Sequence, residues 1–231
     1  MLKFKDVCLS INHNQILHNV SFEVHPGEVV AILGVSGAGK SSIFHLLTGE
    51  RRPTSGRIEL DEFSLGHLSA SSLQAYRRQI GIVFQDFRLL PQKTVYQNVA
   101  FALEVCGDED KIKTKVPELL ELVGLENKAR QFPHELSGGE KQRTAIARAL
   151  VHDPKILIAD EATGNLDPRN SREIARLFKR LNQERHLTIL FSTHDIVLVH
   201  EMKPRVIRLE WGQVQFDKFP CPEEEAFMGI L

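Results

Sequence analysis

The sequence predicts an α/β fold in which a parallel sheet is covered by helices on both faces. Short, continuous apolar runs, such as residues 29–33, 80–84 and 156–159, have the length and composition of strands buried on both faces. Segments with helical periodicity separate these runs, and such alternation is typical of parallel sheets. The strand signal is absent between residues 86 and 153, which predicts a helical subdomain inserted into the sheet domain.

The composition is that of an ordinary globular protein. The 231 residues are 42% hydrophobic and 26% charged, enough to bury a substantial core in one domain. We expect that domain to consist of a core sheet subdomain (1–85 and 154–216), a helical subdomain (86–153) and a C-terminal tail (217–231). A formal net charge of −1 gives no bulk attraction to nucleic acid, so no nucleic-acid partner is expected.

The cysteine spacing and the N-terminal residues favour a cytoplasmic location. Three cysteines, Cys8, Cys106 and Cys221, are widely separated and lack C-x-x-C spacing, which argues against a disulfide framework and against a zinc site. The first residues lack the apolar region of a signal peptide, and no apolar run approaches the ~20 residues that span a bilayer. If the protein works at a membrane, we expect another chain to hold it there.

The first part of the chain is predicted to form mainly β-strands. Alternation of apolar and polar residues over 2–9 and 16–24, around the polar residues 12–14, predicts an antiparallel pair at the sheet edge. A buried strand follows at 29–33, and the next helix begins near Lys40 and ends before Gly49 and Pro53. The predicted turn over 54–56 precedes the two further strands, at residues 57–60 and 80–84.

The rest of the chain contains three helices and then returns to the sheet pattern. Thr94 and Gln97 have the spacing of a capping box, and the two later helices span about 110–123 and begin at Ser137. The remaining predicted elements are a strand over 156–159, an apolar helix face (Ile174, Leu177, Phe178, Leu181), a strand over 187–191 and a hairpin of residues 205–210 and 213–216.

Residues 34–41 read G-x-x-x-x-G-K-S between a buried strand and a helix, which is the context of a phosphate-binding loop. Glycines let successive backbone N–H groups turn inward around an anion, and the helix directs its positive dipole end into the same cavity. Lys40 adds a charge against the outer phosphates, and Ser41 offers a hydroxyl to Mg²⁺. The alternative is a glycine-rich turn that binds nothing. The predicted nucleotide-binding residues here are Gly34, Val35, Ser36, Gly37, Ala38, Gly39, Lys40, Ser41 and Ser42.

Two adjacent carboxylates, Asp160 and Glu161, follow the predicted strand 156–159. The carboxyl ends of parallel strands share one edge, so both acids lie beside the glycine loop. Asp160 would hold Mg²⁺ directly or through water, while Glu161 would orient and polarise the water that attacks the γ-phosphate. The alternative is an ordinary strand end with solvated acids.

Three further polar features follow strands or open a helix. Ser137, Gly138 and Gly139 could form a second phosphate site at a helix N-terminus, or Ser137 could simply make a capping box with Glu140. Two glycines cost helix propensity, which favours close approach of another group. Gln85 and His194 follow other strands at the same edge. Gln85 could be a simple polar strand end. The imidazole of His194 could contact a γ-phosphate, or His194 could equally be a satisfied histidine or a helix N-terminal residue.

The chain resembles the ATPases of the ABC family over about residues 1–216. The resemblance rests on an ordered set of segments, of which Leu-Ser-Gly-Gly is the most specific: residues 34–41, Gln85, residues 136–140, 156–161 and 164–167, and His194. Residues 83–91, 94–100 and 163–167 are similar to the branch of the family that acts in cell division with a membrane protein. The lipoprotein-release and macrolide-export branches share much of the third segment and less of the first.

This resemblance implies an ATPase that binds ATP and Mg²⁺ and works as a head-to-tail homodimer. The glycine loop of one subunit would face Ser137, Gly138 and Gly139 of the other, and Asp167 would lie at the seam. Gln85 would contact Mg²⁺, and residues 86–91 would border the groove for a membrane partner, which would hold the protein on the inner face of the cell membrane. The catalytic residues would be Glu161, His194 and Lys40, and the Mg²⁺ ligands Ser41, Gln85 and Asp160.

Two departures from the family pattern concern Ile11 and Ala162. Ile11 stands where the family usually stacks an aromatic ring on adenine, so we expect poor discrimination between ATP and GTP. Ala162 stands where a proline commonly follows the catalytic glutamate, and Thr163-Gly164 can still make the turn. The leading hypothesis is an ATPase that moves a membrane partner in cell division, with an exporter ATPase as the alternative. A soluble ABC ATPase would need a coiled-coil insertion, paired cassettes or a basic face, and the sequence shows none of them.

Overall fold

The computed structural model describes residues 1–218. Two sheets and seven α-helices account for most of this part of the chain. The strands are β1 (Leu2–Ile11), β2 (Asn14–Val24), β3 (Val29–Leu33), β4 (Ser55–Leu60), β5 (Phe63–Ser64), β6 (Ile80–Val83), β7 (Ile156–Asp160), β8 (Thr188–Ser192), β9 (Arg205–Glu210) and β10 (Gln213–Lys218). The α-helices are α1 (Lys40–Leu47), α2 (Ala70–Arg78), α3 (Val95–Cys106), α4 (Ile112–Leu122), α5 (Gly138–Leu150), α6 (Pro168–Arg185) and α7 (Ile196–Met202).

The larger sheet has six strands in the order β10-β9-β3-β8-β7-β6. The five strands from β9 to β6 are parallel, and β10 adds an antiparallel edge through its hairpin with β9. Ser192 at the end of β8 pairs with Ile32 of β3 and with Asp160 of β7. The ends of these three strands therefore meet at one edge, which confirms the α/β fold class and positions the site.

The predicted pairing of the first two strands is confirmed, although they lie in a sheet of their own. This antiparallel sheet has the order β2-β1-β4-β5, with β1 paired to β4 on the side away from β2. Strand β4 begins at Ser55, so residues 55 and 56 of the predicted turn belong to the strand. Gly56 has a φ of +81°, and a Cβ there would lie 2.3 Å from the Asp6 carbonyl oxygen, so a glycine lets the strands approach.

Two apolar cores flank the larger sheet. One fills the space between the two sheets and includes Phe4, Phe22, Ile32 and Phe44. The other lies under the helices on the opposite face and joins the sheet residue Val83 to Val99, Ile146 and Phe178 of α3, α5 and α6. The three helices between β6 and β7 thus pack into the same core as the sheet. The division into subdomains stays a prediction.

Helices α2 and α7 were not predicted from the sequence. In α2 only Tyr76 is buried, and the hydroxyl of this tyrosine donates to the Leu47 carbonyl. Beside it only Leu73 packs against the same core, so the apolar periodicity that a sequence pattern could show is weak. Helix α7 has only seven residues, which is too short for a periodic signal.

No helix in residues 1–218 is both long and apolar enough to cross a membrane. The structure describes Cys8 and Cys106 as free thiols. Cys221 and most of the predicted tail, residues 219–231, lie outside the described residues.

Candidate functional site

An open cleft of about 600 Å³ lies at the carboxyl end of β3, which is within the size range of small-molecule sites. Every residue predicted for the glycine loop lines this cleft except Ala38, which is buried. Glu161 and His194 also line it. The full lining is Ile16, Gly34, Val35, Ser36, Gly37, Gly39, Lys40, Ser41, Ser42, Glu161 and His194. The structure therefore places the predicted phosphate-binding and hydrolytic residues around one space.

The glycine loop leaves the start of α1 open toward the cleft. Gly37 and Gly39 have φ angles of +80° and +104°, a backbone conformation that other residues adopt only with strain. Gly39 is the N-cap of α1 and has no side chain to cap it, so the first N–H groups of the helix remain available to an anion. The ammonium of Lys40 donates to the carbonyls of Gly34 (2.7 Å) and Val35 (3.1 Å). This geometry suits a phosphate chain.

Ser192 organises the two carboxylates, a role that the sequence reasoning missed. Its hydroxyl donates to Asp160 Oδ1 at 2.6 Å, and the Glu161 N–H donates to Ser192 Oγ at 3.0 Å and to its carbonyl at 3.2 Å. Burial raises the pKa of Asp160, the Ser192 hydrogen bond opposes that rise, and the neighbouring Glu161 charge adds to it. The position of Ser192 at a strand end, two residues before His194, was the available signal.

Glu161 and His194 form a pair at the open side of the cleft. Glu161 Oε2 lies 3.6 Å from His194 Nδ1, and the His194 side chain is 55% exposed. Glu161 has a φ of +48°, a left-handed conformation that costs energy for a residue with a Cβ. The turn thus directs its carboxylate toward the histidine and the loop, so a water between Glu161 and a bound phosphate can be polarised.

Gln85 joins the same group of residues through Gly164. A Cβ added to Gly164 would lie 3.1 Å from Gln85 Nε2 and 3.3 Å from His194 Cε1, so both side chains contact this glycine. The Asn165 side chain donates to the Gln85 carbonyl at 3.1 Å. The Gln85 side chain is exposed, and Gln85 is not one of the described residues that line the cleft. It lies at its border.

The residues predicted to bind Mg²⁺ fit that ion by their chemistry. Ser41 supplies a hydroxyl oxygen, Gln85 an amide oxygen and Asp160 a carboxylate, which are the ligand types that Mg²⁺ takes. The desolvated Asp160 carboxylate, with its raised pKa, would be stabilised by a nearby cation.

Ser137 has a capping role within its own chain. Its Oγ accepts from Glu140 N (3.3 Å) and donates to Glu140 Oε2 (2.9 Å), and that oxygen also accepts from Ser137 N (2.8 Å). These hydrogen bonds from Ser137 hold the pKa of Glu140 below its usual value. The capping-box alternative is therefore present in the structure, and the predicted phosphate contact stays a prediction.

Gly138 and Gly139 also have close neighbours in the same chain. A Cβ on Gly139 would lie 2.1 Å from Asn170 Oδ1, and one on Gly138 would lie 3.3 Å from a Leu166 methyl. The side chain of Asp167 caps α6 by accepting from the N–H groups of Arg169 and Asn170, and these bonds lower its pKa. The segments 137–139 and 165–170 are thus packed together, and none of these residues lines the cleft of the same chain.

Residues 86–91, the predicted docking segment, are held from two sides. The buried guanidinium of Arg148 donates to the carbonyls of Phe87 (2.9 Å) and Arg88 (2.6 Å), both of which have left-handed φ angles. The Asn98 side chain accepts from Leu90 N (2.8 Å) and donates to Leu90 O (3.1 Å). Neither Arg148 nor Asn98 was singled out from the sequence.

The aliphatic residues that line the cleft are Ile16 of β2 and Val35 of the glycine loop. Ile11, which stands where the family usually stacks an aromatic ring on adenine, is not among the residues that line the cleft. Ile11 is the last residue of β1 and pairs with Asn14 beside the hairpin turn. Ile16 lies farther along β2, at the irregularity between the pairs Ser10–Gln15 and Leu9–Leu17.

Comparisons with known proteins identify the family of this chain. A family model described as "ABC transporter" matches residues 17–164. The chain is 49% identical over 208 residues to the cell division ATP-binding protein FtsE of Streptococcus pneumoniae serotype 2, covering 90% of each protein. It is 46% identical to the methionine import ATP-binding protein MetN of Carboxydothermus hydrogenoformans, covering 85% of this chain and 58% of MetN. A dimeric structure of the ATP-binding cassette MJ0796 in a post-hydrolysis state with ADP and Pi is 33% identical, with a TM-score of 0.82, and covers 94% and 98% of the two chains.

Proposed function

Because this chain belongs to the ABC transporter family and is an ATPase, we propose that it is an FtsE-type subunit that drives an FtsX-like membrane protein in cell division. The support is the 49% identity over 90% of both proteins, which is higher than the 46% identity to the import subunit MetN. A chain of this type would be cytoplasmic and would reach the inner face of the membrane through its partner. An ATPase of a lipoprotein-release or macrolide-type exporter is the alternative.

Hydrolysis would take place in the cleft at the end of β3. The glycine-loop N–H groups bind the phosphates, and Lys40 exchanges its carbonyl partners for the γ-phosphate. Glu161 orients a water, whose oxygen forms a bond to the γ-phosphorus while the bond from that phosphorus to the ADP oxygen breaks. The water proton passes by way of Glu161 to the released phosphate, and His194 donates to a γ-phosphate oxygen. Mg²⁺, held by Ser41, Gln85 and Asp160, would neutralise charge on the phosphates.

A complete site would need a second copy of the chain. Ser137, Gly138 and Gly139 lie outside the cleft of their own chain, next to Leu166 and Asn170. A head-to-tail homodimer would bring them to the γ-phosphate in the partner's cleft, with Asp167 at the seam. The dimeric structure of the MJ0796 cassette supports a dimer by similarity.

The observation that carries the proposal of hydrolysis is the 3.6 Å pair of Glu161 and His194 facing the phosphate loop. Glu161→Gln should retain ATP binding and lower turnover by about 10²-fold or more, because the amide cannot accept the water proton. The stalled protein should then elute as an ATP-dependent dimer in size-exclusion chromatography. Glu184→Gln, on the exposed face of α6, is the matched control. Turnover at the wild-type rate by Glu161→Gln would remove Glu161 from the mechanism.

The membrane partner can be identified independently of catalysis. The stalled Glu161→Gln chain, affinity-tagged and purified from detergent-solubilised membranes, should retain its partner. A four-helix membrane protein with one extracellular loop domain would support the FtsX-like pairing. A larger permease would instead support the exporter alternative.

A further inference from the structure

Trp211 is the only tryptophan of the chain, and its side chain is 87% exposed. It occupies the two-residue turn between β9 and β10 together with Gly212. Both residues have left-handed φ angles, +49° and +72°, as a type I′ turn requires. Asn or Asp followed by Gly is the usual choice there, and a bulky residue with positive φ is strained. The exposed indole gains little packing to offset that strain, so its presence indicates a role other than stability.

The turn is attached directly to the nucleotide cleft. Gly212 N donates to the carbonyl of Ala38 in the glycine loop (3.2 Å), and Gly212 O accepts from His18 N of β2 (2.8 Å). A Cβ on Gly212 would lie 2.1 Å from the Ile16 carbonyl, and one on Gly39 would lie 3.8 Å from Gly212 Cα. Because Ile16 and Gly39 both line the cleft, the turn that carries Trp211 lies at the rim of the cleft.

We propose that Trp211 stacks on the base of the nucleotide whose phosphates occupy the glycine loop. The described lining of the cleft offers polar loop groups and His194 for the phosphates and two aliphatic side chains, Ile16 and Val35, but no Phe, Tyr or Trp ring. Trp211 is an exposed ring whose neighbour Gly212 packs against the backbone of Ile16, and the Gly212–Ala38 hydrogen bond ties this turn to the phosphate loop. Aromatic rings bind every base through its π-face, so the contact favours nucleotides over phosphate alone without selecting adenine.

The inference rests on the proposed function, because it requires a nucleoside triphosphate in the cleft. The experiment measures equilibrium binding of a non-hydrolysable ATP analogue, its GTP counterpart and tripolyphosphate, each with Mg²⁺. Comparing the two nucleotides with tripolyphosphate distinguishes base stacking on Trp211 from phosphate binding by the glycine loop. Because Trp211 is the single tryptophan, the tryptophan fluorescence of the protein reports on this residue alone. Both nucleotides should quench that fluorescence, and tripolyphosphate should not.

Trp211→Asn, which restores a favourable turn residue, should bind both nucleotides at least about fivefold more weakly and bind tripolyphosphate like the wild type. Its Tm should equal or exceed the wild-type value, since the substitution relieves the turn. Trp211→Phe should keep affinity within about threefold because it keeps a ring.

Unchanged nucleotide affinity in Trp211→Asn would overturn the stacking role while leaving ATP binding intact. Equal weakening of tripolyphosphate would overturn it as well, since the turn would then act through the phosphate loop. Absence of any nucleotide binding to the wild-type protein would contradict the proposed function itself, and stacking with it.

Discussion

At the scale of single residues, burial of Asp160 lowers the stability of the folded protein at a position that we predict to bind Mg²⁺. Burial raises the pKa of this carboxyl, so the folded protein binds its proton more tightly than the unfolded chain does. The protonated form therefore favours folding at low pH, and this contribution is lost as the pH rises through the folded-state pKa. At neutral pH the buried charge destabilises the protein when no cation is bound.

Asp160→Asn should consequently raise the Tm of the nucleotide-free protein at neutral pH, by about 2–4 °C for each kcal/mol gained. The gain should shrink as the pH approaches the ordinary aspartate value of 3.8, at which the wild-type carboxyl is itself protonated. The same variant should lose Mg²⁺-dependent ATP turnover. Thermal unfolding over a pH series measures the first effect, and Asp110→Asn, at an exposed position, is the control. A lower Tm at neutral pH would contradict the desolvation argument.

The residues around Asp160 also show what sequence patterns can predict about a site. Residues 34–42, Asp160, Glu161 and His194 were predictable because each follows a buried strand, and parallel strands end at one edge. The hydrogen bonds of Ser192 and the left-handed backbone of Glu161 were not predictable. They depend on the register between β7 and β8, which no local pattern encodes.

At the scale of elements, two helices begin with the same capping box and offer a matched pair of variants. Thr94 caps α3 and Ser137 caps α5, each with its hydroxyl accepting from the third helical N–H. Ser137→Arg and Thr94→Arg should each lose ~1 kcal/mol of unfolding free energy with the cap. Only Ser137→Arg should also abolish ATP-dependent dimerisation in a Glu161→Gln background, while the isolated subunit still binds nucleotide.

Size-exclusion chromatography with ATP and nucleotide titration of the monomer measure these two effects. If Ser137→Arg and Thr94→Arg dimerised equally well, Ser137 would have only its capping role. Equal loss of nucleotide binding and dimerisation in Ser137→Arg would count against a site shared between subunits.

Arg148 links α5 to the segment that follows Gln85. Its planar guanidinium donates to two successive carbonyls in left-handed residues, Phe87 and Arg88, and lysine cannot reproduce that fork. Arg148→Lys should lose about 1–3 kcal/mol of unfolding free energy and increase amide hydrogen exchange over residues 86–91. Arg180→Lys is the control, because Arg180 donates to one carbonyl from an exposed position. Unchanged exchange in Arg148→Lys would show that the segment is held by other contacts.

The elements that the sequence predicted well are those with a strong periodic signal or a turn. Strand β3 and the β9–β10 hairpin were predicted closely, and α6 was predicted from its apolar face. Helix α2 was missed because it places only Tyr76 and the partly buried Leu73 against the core, which is a weak periodic signal. Strand β1 was placed at an edge because its second partner, β4, is distant in sequence and pairs through a bulged register.

At the scale of the whole molecule, the separation of the glycine loop from Ser137 within one chain makes the proposed site composite. Each half of a head-to-tail pair would supply Lys40 and Glu161 to one site and Ser137 to the other. Two inactive variants with defects in different halves should therefore complement each other. Two variants with defects in the same half should not.

Lys40→Ala removes the phosphate-binding charge, and Ser137→Arg removes the opposing half-site. A mixed pair contains one intact site, formed by the loop of the Ser137→Arg chain and Ser137 of the Lys40→Ala chain. Because each mixed pair has one intact site out of two, activity should recover to at most about half of the wild-type value, whereas each variant alone should be inactive. Mixing Lys40→Ala with Glu161→Gln is the control, because both lesions lie in the same half-site and leave no intact site in any pair.

Steady-state phosphate release measures the activity of both mixtures. Recovery in the first mixture alone fits a head-to-tail dimer, whereas recovery in neither would mean that the two half-sites do not meet between subunits.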